Sequence, residues 1–64
     1  MKLLCTRSRF PFMFTEGQTY DVISEDIEVI GSEVIKAYNI LDNDGDESNV
    51  PLKGGFFEFE IVEG

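Results

Sequence analysis

The chain has 64 residues, a formal net charge of −8, one cysteine and no histidine. This length allows one small domain, residues 1–64, and a hydrophobic content of 42% with six Phe and two Tyr favours a folded core over disorder. A lone cysteine excludes an internal disulfide, and without histidine the chain lacks the usual ligands of a zinc site.

The first part of the sequence predicts one strand followed by an irregular segment. Leu3 and Cys5 follow the two-residue period of a strand, which is predicted over residues 2–7. Residues 8–14 are predicted to form a loop or an irregular edge segment, because Pro11 has no amide proton to donate to a central strand.

A turn and a second strand are predicted next. Gly17 accepts a positive φ, which indicates a turn over residues 15–18. The strand is predicted over residues 19–24, with Tyr20 and Val22 on one face, and the polar run that follows is expected to end it.

The middle of the chain contains an ambiguous segment and then the most apolar strand. Residues 27–30 are predicted either as a short strand or as a single helical turn, ended by Gly31. Residues 34–41 have apolar side chains on both faces, with Tyr38 and Ile40 on the same one, and this pattern predicts the central strand of the sheet.

The last third of the chain predicts a hairpin and a closing strand. Residues 42–46, Asp-Asn-Asp-Gly-Asp, are the strongest turn signal, because these residue types accept a left-handed backbone. A strand over residues 48–52 pairs back, and Pro51 marks it as an edge. After a turn at residues 53–55, residues 57–62 predict a half-buried strand with its Phe and Ile side chains inward and its glutamates outward. Five or six short strands of this kind predict an all-β domain, a small closed or nearly closed barrel.

The order of these motifs resembles a known class of proteins. It runs from a basic first strand and an aromatic loop through Thr-x-Gly-x-x-Tyr-x-Val to Asp-x-Asp-Gly and a terminal Phe-x-Phe-x-Ile. The residues that carry it are Thr15, Gly17, Tyr20, Val22, Asp42, Asp44, Gly45, Phe57, Phe59 and Ile61. In this order the chain resembles small SH3-like barrel proteins encoded by bacteriophages and prophages. The resemblance implies a five- to six-stranded SH3-like barrel over nearly the whole chain, a viral origin, and an accessory role without an active site.

We expect neither a metal nor another cofactor. When Gly45 is aligned with the glycine of a calcium-binding EF-hand loop, Ile40 and Pro51 fall at positions that need side-chain ligands. A plain hairpin turn therefore explains the acidic run better than a calcium site does.

The sequence also predicts that the protein is not an enzyme. Cys5 has no histidine base, and its alternation with Leu3 indicates a core position. Glu58 and Glu60 share the solvent face of a strand, where neither carboxylate is desolvated for acid–base catalysis. Lys53 and the two glycines after it lack the spacing of a phosphate-binding loop.

We expect a cytoplasmic protein, in a bacterial host cell, that has no membrane partner. The apolar residues near Met1 are too few for a secretory signal, and no segment approaches the roughly 18–20 apolar residues of a membrane span. A single reduced cysteine is typical of the cytoplasm.

The preferred candidate binding site is an acidic surface. From Phe10 onward the chain carries 13 acidic residues against Lys36 and Lys53, which makes nucleic acid an unlikely ligand and suits a host protein with a basic surface. Such a surface can imitate nucleic acid and inhibit the partner, although acidity also keeps a small protein soluble without any partner. The predicted site residues are Asp42, Asp44, Asp46, Glu47, Glu58 and Glu60.

The second candidate site is basic and aromatic. It comprises Arg7, Arg9, Phe10, Phe12 and Phe14. Arginines beside stacking rings can hold single-stranded nucleic acid, which gives an alternative function. The same rings can instead fill the open end of the barrel or join copies of the chain in a homo-oligomer, and the small size of the domain favours these uses.

Overall fold

The computed structural model describes residues 1–62, which form five antiparallel strands. The strands are β1 (Lys2–Ser8), β2 (Thr19–Ile30), β3 (Glu33–Leu41), β4 (Glu47–Pro51) and β5 (Phe57–Val62). Their order across the sheet is β4-β3-β2-β1-β5, and residues 1–62 contain no helix. The prediction of an all-β fold with five or six strands is therefore confirmed.

The sheet curls until its two outer strands approach each other. β4 and β5 lie at opposite ends of the strand order but are in contact. The Phe59 amide on β5 donates a hydrogen bond of 2.8 Å to the Leu52 carbonyl, just beyond β4. The result is a small barrel-like fold, and it covers the edges that an open sheet would leave unpaired.

The predicted end of the second strand at Ser24 was wrong. β2 continues to Ile30, and its register with β3 shifts between Val22 and Ser24, which marks a β-bulge. A bulge bends a strand without ending it, so the polar run after Val22 continues the strand into solvent. The ambiguous residues 27–30 are extended and paired with β3, not helical.

β2 and β3 are joined by a two-residue turn. Ile30 pairs with Glu33, and Gly31 between them has a φ of 62°. Glycine at the first position of a two-residue loop is typical of a type II′ turn, whose twist matches that of the paired strands. The middle strand of the order is β2, which corrects the predicted central position of β3, although residues 37–40 of β3 pair with a strand on each side.

The predicted turns and the edge strand are also present. In the β3–β4 hairpin the Gly45 amide donates to the Asp42 carbonyl, and Gly45 has a φ of 85°. This is a three-residue loop with a left-handed glycine. In residues 1–62 all residues with a positive φ are glycines. The Gln18 amide donates to the Thr15 carbonyl across the other predicted turn. β4 lies at the edge of the sheet order, as Pro51 indicated.

The core combines residues from all five strands with one residue from the loop after β1. Its members are Leu3, Cys5, Phe14, Tyr20, Tyr38, Ile40, Val50 and Phe59. The Phe14 ring lies edge-on to the rings of Tyr20, Phe57 and Phe59, with centroids 4.9–5.4 Å apart. Ile61 pairs with the buried Leu3 but remains about half exposed, contrary to its predicted inward position, because it lines an open groove with Leu52 and Lys53.

Candidate interaction surfaces

The acidic residues predicted as one site lie on two separate elements. Asp42, Asp44, Asp46 and Glu47 lie in or beside the β3–β4 turn, whereas Glu58 and Glu60 lie on β5. The local environments of the two groups also differ.

Asp42 holds the turn together. Its Oδ1 accepts hydrogen bonds of 2.9 Å from the amides of both Asp44 and Asp46. The Asp42 side chain is half-buried, whereas those of Asp44, Asp46 and Glu47 are exposed. Asp42 therefore shapes the turn that displays the other three carboxylates.

Asn43 attaches this acidic turn to the aromatic loop. Its amide donates 2.8 Å to the Met13 carbonyl, and its Nδ2 donates to the Pro11 carbonyl and to the Thr15 hydroxyl. Its Oδ1 accepts a hydrogen bond of 2.8 Å from the Tyr20 hydroxyl. These bonds hold the turn against the barrel, so its three exposed carboxylates project from a fixed base.

Glu58 and Glu60 occupy different surroundings on β5. Glu58 is half-buried and pairs across the sheet with Arg7. Glu60 is exposed and lies at a groove that Lys36 and Lys53 also line. Among residues 1–62, neither carboxylate forms an ion pair with these basic side chains.

The aromatic loop divides into a core residue and a surface residue. Phe14 is fully buried, so it is corrected here from a binding residue to a core residue: its ring fills the barrel beneath the loop. Phe12 is 67% exposed, and Phe10 is half-buried between the core and the surface. The prediction that these rings serve the core is thus confirmed for Phe14 and not for Phe12.

The sequence analysis did not include Phe56 in this surface. Phe56 is half exposed, and its ring contacts that of Phe10 edge-on, with centroids 5.1 Å apart. Phe12 packs against the same Phe10 ring at 5.7 Å. The sequence could have indicated Phe56, because this residue directly precedes the closing strand and does not fit the alternation of apolar and acidic residues in that strand.

Arg7 and Arg9 border a cleft next to these rings. The cleft has a volume of about 310 Å³, and its lining includes both arginines, Phe56 and Glu58. The Ser8 hydroxyl at the same place is buried and has no hydrogen-bond partner in the part of the chain that the structure describes. The structure therefore brings together cations, rings and an unpaired hydroxyl.

A comparison with protein families, with curated proteins and with solved structures found no match for this chain. Its function must therefore be argued from its own surfaces.

A further exposed acidic element was not among the predicted site residues. Beyond the bulge, β2 and β3 form a two-stranded arm, residues 24–36, that is exposed along nearly its whole length. The arm carries Glu25, Asp26, Glu28 and Glu33, and also large aliphatic side chains that are more than 40% exposed. The sequence could have indicated this arm, because residues 24–30 fit a continuous strand if the polar residues 24–26 are not taken to end it.

Charges on the surface are largely uncompensated. One ion pair is present among residues 1–62, between Lys2 and Asp21 at 3.8 Å, and both side chains are substantially exposed. A pair of this kind contributes little to stability. Most of the other acidic side chains in this part of the chain are exposed, whereas Asp42 and Glu58 are half-buried.

Cys5 is a buried thiol in the core. Desolvation by burial raises the pKa of this thiol, and the negative charge of nearby Glu16 raises it further. A raised pKa keeps the thiol protonated and unreactive at neutral pH. Residues 1–62 hold no group of three His, Cys, Asp or Glu side chains arranged for a metal ion. They also form no helix of the length and apolarity that crossing a membrane requires.

Proposed function

We propose that this chain is a non-catalytic interaction protein that binds a protein partner with a basic surface. The observation that carries the proposal is the uncompensated negative charge, which is −8 overall and is displayed on a rigid β scaffold. Carboxylates held in this way attract a basic partner over a distance and increase the association rate.

The β3–β4 turn supplies the firmest acidic contact in this proposal. Asp44, Asp46 and Glu47 are exposed, and the hydrogen bonds of Asp42 and Asn43 fix the turn beneath them. Preorganised charges lose little conformational freedom when a partner binds. Glu60 adds an exposed carboxylate on β5, while Glu58 lies nearer the arginines.

The proposal places the protein in the cytoplasm of a bacterial host, as an accessory protein of a phage or prophage. The sequence resemblance to SH3-like phage barrels and the single reduced cysteine support this setting. In that setting the partner is a host protein whose basic surface ordinarily contacts nucleic acid, and binding of this chain inhibits it.

The first experiment captures the partner and then measures its salt dependence. The immobilised protein is exposed to nuclease-treated bacterial lysate, and a stoichiometric bound protein is purified. Its Kd is then measured at increasing salt concentrations. We expect the affinity to fall as salt screens the carboxylates, and we expect Asp44→Asn, Asp46→Asn and Glu47→Gln together to weaken binding about tenfold.

The matched control is Arg7→Ala, which changes one charge on a different surface. We expect this variant to bind the partner as the wild type does. The proposal is contradicted if no protein is retained from the nuclease-treated lysate. It is also contradicted if the triple variant binds the partner with the same affinity as the wild type.

A second function has a specific observation in its favour. Arg7 and Arg9 border a cleft that the half-exposed ring of Phe56 also lines, and the Ser8 hydroxyl there has no hydrogen-bond partner within residues 1–62. Rings and arginines together bind single-stranded nucleic acid by stacking and by charge. The surrounding acidic body opposes this function, so we rank it below the first.

The two functions are separated by one titration. A fluorescent single-stranded oligonucleotide is added to the wild type, to Arg7→Ala and to the acidic triple variant. Under the second function Arg7→Ala loses affinity, and the triple variant gains affinity because repulsion falls. Under the first function no variant binds the oligonucleotide measurably at physiological salt.

A further inference from the structure

The β2–β3 arm has an unusually open strand edge. β1 pairs with β2 only as far as Asp21, and the Val22 amide makes the last bond on that side, to the Met1 carbonyl. Residues 24–30 of β2 therefore have no neighbouring strand on this side in the described part of the chain. Alternate backbone N–H and C=O groups of this segment point away from β3 and remain free to pair.

The charges on this edge oppose pairing with an acidic strand but not with a basic one. Exposed edges are commonly blocked by charged side chains, by proline, by bulges or by a short length. Residues 24–30 contain neither lysine nor proline over seven positions, and their three charged side chains, Glu25, Asp26 and Glu28, are all acidic. The opposite edge of the arm is different. There β4 covers β3 up to Ala37, and the remaining segment, residues 33–36, is short and carries Lys36. The β2 edge is therefore the open one.

The two faces of the arm differ in chemistry. Ile27 and Val29 share one face, opposite Lys36 and Val34, and they are 58% and 69% exposed. This face continues the core face of β3 through the alternation of Val34, Lys36 and Tyr38.

The other face of the same edge is acidic. Asp26 and Glu28 lie there, opposite Ala37 and Ile35. The Asp26 carboxylate is held in place, because its Oδ2 accepts hydrogen bonds from the Nδ2 atoms of Asn39 and Asn49 at 3.2 and 3.0 Å. A strand added to this edge would meet aliphatic side chains on one face and the acidic residues Asp26 and Glu28 on the other, with the Asp26 carboxylate bonded on the side of β3 and β4.

We propose that the β2 edge of the arm, residues 24–30, is the docking site for an extended segment of the partner in which basic and apolar residues alternate. The proposal rests on the proposed function and adds where and how the partner binds. The segment pairs with β2 through main-chain hydrogen bonds, places apolar residues beside Ile27 and Val29, and places cations beside Asp26 and Glu28. Strand addition to a free edge is a common mode of peptide recognition.

A second copy of this chain fits the edge less well. A symmetric antiparallel pairing centred on Asp26, Ile27 or Glu28 sets acid against acid, which destabilises a sheet. Centring it on Val29 avoids this but pairs only residues 27–31. The arm also carries four acids against one lysine, and each chain has a charge of −8, so two copies repel each other. Charge complementarity therefore selects a basic partner.

The test uses the intact protein and three synthetic peptides of about eight residues, the length of a typical strand. One peptide alternates Lys and Val, one has the same composition with the lysines and valines in separate blocks, and one alternates Glu and Val. Amide chemical shifts and hydrogen exchange are followed by NMR in the wild type. The same titration is repeated with Val29→Lys and with the control Thr19→Lys, which adds the same charge at an exposed position of β2 outside the arm.

We expect the alternating Lys–Val peptide to bind, with shift changes and exchange protection concentrated in residues 24–30. Val29→Lys is expected to weaken binding about tenfold, since it removes an apolar contact and adds a like charge at the edge. Thr19→Lys is expected to change the affinity less than twofold. An unchanged set of wild-type amide shifts elsewhere shows that each variant is folded.

The outcomes separate the two proposals. Binding of the basic peptides at the β3–β4 turn alone overturns the docking site and leaves the proposed function standing. If neither basic peptide binds, both the docking site and the proposed function are contradicted. Equal binding of the block peptide at the arm shows that alternation is not required, and equal binding of the Glu–Val peptide shows that positive charge is not required. Either result overturns the proposal. Concentration-dependent shifts in residues 24–30 without peptide show that a second copy occupies the edge, which also overturns the proposal.

Discussion

The hydroxyl of Tyr20 on β2 donates a hydrogen bond of 2.8 Å to Oδ1 of Asn43 in the β3–β4 turn, 23 residues further along the chain. The same hydroxyl accepts a hydrogen bond of 2.8 Å from the Thr15 amide. One largely buried phenol thus joins the second strand, the acidic turn and the end of the aromatic loop. The two candidate surfaces are mechanically connected through this residue.

The first prediction concerns this connection. Tyr20→Phe and Asn43→Ala are each expected to lower the free energy of unfolding by about 1–2 kcal/mol, because each removes the part-buried hydrogen bond between the Tyr20 hydroxyl and Asn43 Oδ1. In the double variant the losses are expected to fall short of additivity by at least about 0.5 kcal/mol. Urea unfolding followed by far-UV circular dichroism measures all four proteins. Strict additivity would mean that the Tyr20–Asn43 bond contributes nothing to stability.

The second prediction distinguishes two phenylalanines of the same loop. Phe14→Leu is expected to cost about 1–3 kcal/mol, because the ring packs edge-on against three aromatic neighbours and a smaller side chain leaves a void. Phe12→Leu, the matched control, is expected to change stability by less than about 0.5 kcal/mol, since its ring is mostly in solvent. Thermal unfolding of the two variants measures the difference. Equal losses would show that Phe12, too, is part of the packed core.

The third prediction is a loss of stability at alkaline pH through Cys5. The pKa of its thiol is higher in the folded protein than in the unfolded chain, so the folded state holds this proton more tightly. The contribution is complete below the unfolded pKa of about 8.5 and is lost as the pH rises through the raised folded value. The free energy of unfolding at pH 7 and pH 10 is compared between the wild type and Cys5→Ala.

In that comparison the alanine variant is the control for every other titrating group. Its stability is expected to fall less between the two pH values than that of the wild type. The same burial predicts that a thiol reagent labels Cys5 slowly in the native protein and rapidly in urea. Rapid native labelling or parallel pH profiles would contradict the burial of this thiol.

The fourth prediction separates a structural acid from a displayed one. Asp42→Ala is expected to cost about 1–2 kcal/mol, because it removes the acceptor for two turn amides, and Asp42→Asn, which keeps an Oδ1 acceptor, is expected to cost less. Asp44→Ala, two positions along the same turn and exposed, is expected to stay within about 0.5 kcal/mol of the wild type. Chemical denaturation at low salt measures the series. A loss at Asp44 equal to that at Asp42 would refute the assigned roles.

Local signals predicted most of the strands and turns. Alternating side chains located β1 and β5 within one residue, and Asp-Asn-Asp-Gly-Asp located the β3–β4 hairpin, because both patterns depend on near neighbours in the chain. The continuity of β2 could not be read in this way. Its bulge is a relation between Val22 and Ser24 and the strand beside them, so it exists only once β3 has paired.

The candidate sites were less accessible to sequence reasoning. Phe12 and Phe14 are chemically identical and two positions apart, and only the turn of the loop over the barrel decides that one fills the core and the other faces solvent. The predicted acidic residues were grouped by composition, whereas the folded chain divides them between a turn and β5. Phe56 joined the aromatic surface only because tertiary packing brings its ring to Phe10.

By itself the sequence determined the class of the fold, the acidic character of the surface and the positions of the tight turns. These properties follow from composition, from the two-residue period of strands and from the backbone freedom of Asn, Asp and Gly. Only the tertiary structure decided which acids are held as structural acceptors, which rings are exposed and where a strand edge stays open. Those features depend on register and curvature, which arise when distant segments pair and compete for the same small core.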